Sequence, residues 1–208
     1  MDSKHSDRPA DDSDARPLRA LKLLVSGGFG VGKTTFVGSV SEVRPLRTEE
    51  DLTQAGVGVD DTSGLEDKST TTVALDYGRI SIRDDLILYL FGTPGQDRFW
   101  FMWDELARGA LGAVVIADTR RLEVSFQAID FFEKRGIPFV VAANRFDDAE
   151  DHPSGELAEA LDLDPGVPVL SFDARSRTSG KQVLVTLVRN LIANAGSTHT
   201  DAHPDSGS

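Results

Sequence analysis

With 208 residues the chain is long enough for one domain with a full core, and 39% hydrophobic with 27% charged residues is the balance of a water-soluble globular protein. A formal net charge of -12 sets the surface against phosphate backbones and anionic lipid, so nucleic acid is not expected as a partner and any nucleotide must be held by a local feature that overrides the overall field. The absence of cysteine excludes disulfides, thiolate metal sites, prenylation and palmitoylation.

Residues 1–17 are rich in Asp, Ser and Pro and lack an apolar period, and residues 195–208 are similar; both read as disordered tails around a single domain spanning 18–194. The opening residues show no secretory pattern, and no run is long and apolar enough to span a bilayer. A cytoplasmic protein with no direct membrane anchor is the expectation.

Leu21 to Val25 reads as the first strand. Gly27-Gly28-Phe29-Gly30-Val31-Gly32-Lys33-Thr34 follows it and fits G-x-x-x-x-G-K-[ST]; the helical pattern Thr34 to Val43, with Phe36, Val37, Val40 and Val43 on one face, comes next. Strand, glycine-rich turn and helix start are the context this motif requires. Glycines let successive backbone N–H groups turn inward around phosphate oxygens, and the helix N-terminus, including Thr35, adds partial positive charge. Lys33 reaches the outer phosphates and the Thr34 hydroxyl is a Mg2+ ligand. Such a loop serves ATP and GTP alike.

Arg44 to Ser69 is long, polar and glycine-rich, with no secure element, as functional loops often are. The runs Thr72 to Tyr77 and Leu86 to Phe91, broken near Asp84-Asp85, read as an antiparallel hairpin at one sheet edge. Gly92-Thr93-Pro94-Gly95-Gln96-Asp97 comes after them, then Phe99-Trp100-Phe101-Met102-Trp103. Five consecutive large apolar residues cannot all face one core, so this segment is expected to offer some of them, the two tryptophans included, to a partner. Ala113 to Ala117 is a strand leading to Asp118. Leu122, Phe126, Ile129 and Phe132 mark a helix, and another helix begins near Ser154. Val167 to Phe172 is a strand, and about Gly180 to Ala193 is the last helix. Apolar strands alternating with amphipathic helices indicate an α/β domain with a mostly parallel sheet.

Ile137 to Ala143 is a buried strand, and Asn144-Arg145-Phe146-Asp147 stands at its carboxyl end, where ligands of open α/β sheets bind. This segment resembles the N-K-x-D segment of the Ras-like GTPases, and the resemblance implies that a carboxylate at Asp147 accepts both the ring N–H and the exocyclic NH2 of guanine. Adenine offers no such donor pair, so the wrong base leaves a charge unpaired. The stem of Arg145 can lie over the purine face.

These segments resemble the Ras-like GTPases. Asn144 to Asp147 is similar to their N-K-x-D segment, with Arg145 replacing lysine. Asp173-Ala174-Arg175 resembles the S-A-K loop, which implies a base contact from the Ala174 N–H. Gly92 to Asp97 resembles D-x-x-G-Q, which implies that Gly95 presents its N–H to the γ-phosphate and Gln96 orients the attacking water. Ser69 to Tyr77 resembles the first switch, and the resemblance implies a threonine closing over Mg2+: Thr72 by position, with Thr70 and Thr71 left open. The patterns T-T-T-V-A-L-D-Y-G, F-G-T-P-G-Q-x-R-F and A-N-x-F-D narrow the likeness to the GTPase component of actinobacterial conservon operons, similar in turn to the bacterial polarity GTPase MglA. The implied fold is α/β, a three-layer phosphate-loop NTPase (Ras-like) with a six-stranded, mostly parallel sheet and one antiparallel edge strand. The implied partners are a Roadblock-type protein and a sensor-kinase-like membrane protein that would recruit the chain to the membrane.

Three departures stand out. Gly92 replaces the usual aspartate that supports Mg2+, with Thr93 as a substitute. Phe29 replaces a glycine near the γ-phosphate, where it crowds an incoming arginine. The arginine that MglA-like proteins carry in the first switch falls near Thr71 and is missing, with Arg98 as a candidate in its place. The expected activity is a GTP/GDP switch with slow, partner-stimulated hydrolysis that uses Mg2+. The alternative is a guanine-nucleotide-binding interaction protein without significant turnover.

Overall fold

Hydrophobic alternation on both faces of a run of short strands calls for helices above and below one sheet. The computed structural model describes residues 18–44, 46–52, 71–95 and 101–197, and for 46–52, 71–74 and 196–197 it describes the backbone alone. The chain order is β1 (Arg19–Ser26), α1 (Lys33–Val40), β2 (Leu46–Leu52), β3 (Thr71–Arg83), β4 (Leu86–Gly92), α2 (Phe101–Ala107), β5 (Ala110–Asp118), α3 (Glu123–Arg135), β6 (Phe139–Asn144), α4 (Ser154–Ala160), β7 (Val169–Phe172) and α5 (Arg177–Ser197). The strands form one sheet in the order β2-β3-β4-β1-β5-β6-β7.

The alternation sorts the core into two layers. Leu23, Val25, Val114, Ile116, Val140 and Ala142 point to one face, under Phe36, Val37 and Val40 of α1 and Val183, Leu184 and Leu187 of α5. Their neighbours Leu24, Ala113, Val115, Ala117 and Val141 point to the other, under Trp103 of α2 and Ala128, Ile129, Phe131 and Phe132 of α3. The three-layer reading of the sequence is therefore the observed one.

The sheet carries the six expected strands and one more. β1 runs parallel to β4 and β5, and β5, β6 and β7 are parallel in turn. β3 pairs antiparallel with β4 across a turn at Asp84 and Asp85, as the hairpin reading requires. β3 is not the edge, however, because β2 pairs antiparallel along its outer side from Leu46↔Tyr77 to Leu52↔Thr71. The sequence of β2, LRTEEDL, has neither apolar alternation nor high strand propensity, so it forms on the free ladder that β3 presents rather than from its own preference. Helix α5 runs to Ser197, where the sequence reading closed the domain at 194. Among the described residues no helix is long and apolar enough to cross a membrane.

β1 connects toward one side of the sheet and β5 toward the other, so the carboxyl ends of these two central strands form a topological switch point, the place where an open α/β sheet leaves a crevice for a ligand.

Candidate functional site

The loop from Gly27 to Gly32 leaves β1 at that crevice and turns directly into α1. Gly32 sits in the left-handed region with φ 108°, and a Cβ there would stand 2.7 Å from the Asn144 side chain, so only glycine fits. The first bond of α1 is Phe36 N–H to the Gly32 carbonyl at 2.8 Å, which leaves the preceding amides of the helix free of helical partners. Thr34 and Thr35 are exposed on that first turn. Lys33 lies back over the loop, donating to the carbonyls of Gly27 at 2.8 Å and Gly28 at 2.6 Å. Burial among these groups pushes its ammonium down to about 8, against an opposing pull from the charge of Asp76.

The end of β4 meets the loop. The Thr93 N–H donates to the Val25 carbonyl at 2.8 Å, and a Cβ on Gly95 would stand 2.5 Å from Lys33 Nζ. Gly95 is thus beside the phosphate loop. Gln96, the expected water-orienting residue, lies outside the described residues, as do Arg98, Phe99 and Trp100. The Thr93 hydroxyl donates to Ser26 Oγ at 3.0 Å in the interior, so it does not stand in for a carboxylate at position 92. Phe29 projects from the loop with 70% of its surface exposed.

Asn144, at the end of β6, joins two loops. Its Nδ2 donates to the Val31 carbonyl at 3.0 Å, and its Oδ1 accepts the Ala174 N–H at 3.0 Å. One partner only accepts and the other only donates, so the orientation of the amide is fixed by chemistry. The Ala174 N–H, expected to face the base, is committed instead to Asn144. Ala174 therefore serves the site by tying its loop to the phosphate loop.

Asp147 lies at the rim of a cavity of about 240 Å3 that Asn144, Arg145, Ser171, Asp173 and Arg175 also line. Its side chain is 85% exposed and pairs with Arg175 at 3.2 Å. Arg175 in turn is held by Asp173 at 3.0 Å, and this bond keeps the Asp173 carboxyl below its ordinary range. Arg145 donates to Ser171 Oγ at 3.0 Å and pairs with Asp151 at 3.2 Å.

Three supporting residues were not legible in the sequence. Asp118, at the end of β5, has a carboxylate with no exposed surface. Arg120 binds both of its oxygens at 2.9 Å and Arg121 adds a bond at 3.3 Å. Hydrogen bonds from Arg120 hold Asp118 well below the usual carboxylate range. Arg120 also binds Asp148 at 2.7 Å and stacks 3.9 Å over the Phe146 ring, which fixes the loop that displays Asp147. Arg121 reaches the phosphate loop at the Phe29 carbonyl, 3.3 Å away. The available signal was two arginines just after a strand that ends in aspartate.

Asp76 on β3 accepts the Thr34 hydroxyl at 2.5 Å. A hydroxyl engaged this way, beside a carboxylate and a ring of free amides, suits Mg2+ arriving with phosphates, which keeps most of its waters and takes few protein ligands. The described residues contain no cluster of three or more His, Cys, Asp or Glu that could hold a metal by themselves. Thr72 lies four residues before Asp76 on β3, roughly 13 Å along an extended strand. It pairs opposite Asp51 of β2, and its side chain lies outside the described residues. To close over Thr34 it must leave this ladder.

The aromatic segment divides. Phe101 is 61% exposed, but Trp103 is 3% exposed, donates its N–H to the Pro94 carbonyl at 3.1 Å and packs on Phe131 and Phe132. The expectation that Trp103 faces a partner is corrected: the indole fills the gap between α2 and α3.

Residues 25–194 match the family described as conserved hypothetical ATP binding protein. The chain is 31% identical over 129 residues to an uncharacterized protein of Methanocaldococcus jannaschii, covering 61% of this chain and 71% of that one. It is 26% identical over 152 residues to the Ras-related protein RABD1 of Arabidopsis thaliana, covering 68% and 73%. In fold it is similar to the G domain of the T. maritima FeoB iron transporter, with TM-score 0.57 and 18% identity over 85% of this chain and 99% of that domain. The larger FeoB cytosolic domain in apo form gives TM-score 0.59 at 16% identity over 83% of this chain, which spans 64% of that structure.

Proposed function

The chain belongs to the family of conserved hypothetical ATP binding proteins, and from that premise we propose that it is a guanine-nucleotide switch that binds GTP or GDP with Mg2+, hydrolyses GTP slowly and signals through a protein partner. The observation that carries the reading is Asn144, which binds the phosphate loop at Val31 and the base loop at Ala174 while Asp147 stands three residues on at the cavity rim. The phosphate loop answers only to phosphates, so a family description naming ATP leaves the base to these residues. A carboxylate at Asp147 favours the donor pair of guanine. The similarity to Ras-related proteins points the same way.

In this reading the loop amides and Lys33 hold the phosphates, Thr34 holds Mg2+, and the metal when bound neutralises charge on the transferring phosphoryl group. Gln96, next to Gly95, orients water. The exposed Phe29 ring stands on the phosphate loop and narrows the approach of any cation supplied by a partner. That ring also favours the second reading, a protein that holds guanine nucleotide without useful turnover. Long single-turnover assays separate the two readings. The partners remain the Roadblock-type protein and the sensor-kinase-like membrane protein of the conservon resemblance, with the chain cytoplasmic and recruited through them.

The test is to denature the purified protein and identify the nucleotide it releases, then to compete labelled GDP with GTP and ATP. GDP or GTP in the supernatant, and GTP the stronger competitor, is expected. Adenine nucleotide in the supernatant, or ATP competing as well as GTP, would overturn the reading.

A further inference from the structure

We propose that Asp76 positions Mg2+ at Thr34, and that position 92 is glycine to give its carboxylate room. The inference rests on the nucleotide reading above and extends it to a residue in the middle of a strand.

The argument begins with register. Tyr77 pairs with Phe91 in the antiparallel β3–β4 ladder, so Asp76 and Gly92 are the next pair and their side chains share one face. A Cβ on Gly92 would lie 3.0 Å from Asp76 Cβ and 3.3 Å from Oδ2, the oxygen that accepts the Thr34 hydroxyl at 2.5 Å. Any side chain at 92 would press that oxygen away from Thr34.

Charge supplies the second step. Asp76 lies close enough to Lys33 to favour its ammonium form, and Lys33 and Thr34 are the residues that meet phosphate. A carboxylate at the mouth of an anion-binding loop opposes the ligand by itself. It becomes favourable only with a cation between it and the phosphates, and Mg2+ bound through one or two carboxylates plus phosphate oxygens is such an arrangement. The Thr34 hydroxyl spends its proton on Asp76, which turns its lone pairs outward for the metal. Asp76 therefore makes nucleotide binding conditional on magnesium.

The full chain is titrated with fluorescently labelled GDP in excess MgCl2 and again in EDTA, and the ratio of the two affinities is the readout. Wild type should bind GDP much more tightly with Mg2+. In Asp76→Asn the ratio should fall by at least about tenfold, partly because binding in EDTA becomes tighter as the repelling charge is removed. A residue that merely held β3 in place would weaken binding in both buffers and leave the ratio alone. Asp76→Ala, measured the same way, gives the same reading if the Asn variant does not fold. A wild-type ratio near one, or a variant with the wild-type ratio, overturns the inference and leaves the guanine reading intact. A wild-type chain that binds GDP in neither buffer overturns the guanine reading and this inference with it.

Discussion

At the phosphate end, Lys33 is folded onto the carbonyls of Gly27 and Gly28, Gly32 is locked by its neighbours, and Gly95 closes against the lysine. At the base end, Asp147 stands 85% exposed and is held by an arginine that is shared with Asp173. The first region is built of backbone and close approach, where a methyl group added at Gly32 or Gly95 collides with its neighbours. The second is built of long charged side chains that exchange one partner for another. A shape made by the backbone is blind to the base but unforgiving of substitution. A pairing made by side chains tolerates change around it, and in the proposed reading it is the part that selects the base.

Lys33→Ala should break the phosphate end most severely. Loss of its charge-assisted bonds removes about 3 kcal/mol, near 100-fold in affinity, for guanine and adenine nucleotides alike. Titration calorimetry checks it, and a loss confined to one base would contradict the division between the two ends.

Asp147→Asn should act on the base end alone. GTP binding is expected to weaken by about 2 kcal/mol while ATP binding stays constant and xanthosine nucleotides gain. Equal losses for GTP and ATP would move Asp147 out of base reading.

The next effect is a pH dependence set by Lys33. Phosphate selects its protonated form, and burial has already lowered the free group to about 8. As pH rises above 8, binding must take up a proton, so affinity should fall by up to about tenfold per pH unit. Folding runs in the opposite direction. The folded pKa lies below the unfolded value of 10.5, so the Lys33 contribution to stability of the nucleotide-free protein is unfavourable below about 8 and improves as pH climbs toward 10.5. A GDP titration series from pH 7 to 10, with Lys33→Arg as the comparison, checks the binding half, since guanidinium does not titrate there.

Arg175→Ala should do least. Its pairing with the exposed Asp147 is a solvent-screened surface ion pair, so GDP affinity is expected to move within roughly fivefold in either direction. A much larger loss would give Arg175 a direct role toward the nucleotide.

The sequence showed most clearly what is contiguous. Eight consecutive residues of the phosphate loop carry their own chemistry, and the structure runs them from the end of β1 into the first turn of α1. The Asn144 and Ala174 segments were legible as strand ends, but the bond between them was not, because it joins residues 30 apart and diverts an N–H expected to face the base. Asp76 was hidden for the same reason, since its meaning depends on a strand register that sets it opposite Gly92 and on a helix start 42 residues away. Trp103 was misplaced because a run of aromatics fixes only that some residues are covered; which one is buried is decided by the gap that Phe131 and Phe132 leave. β2 escaped notice because its partner strand, not its own residues, accounts for it.

The amide of Asn144 also acts as a ruler. Because one planar group, with both bonds at 3.0 Å, spans from the phosphate loop to the base loop, those loops cannot drift apart while β6 holds its end in the sheet. The molecule therefore gauges length as well as chemistry. Under the proposed guanine reading, a ligand must place its phosphate and its base the right distance apart to satisfy both loops at once. Free phosphate or a bare nucleoside meets only one jaw of the caliper and gains none of the advantage of being held at both.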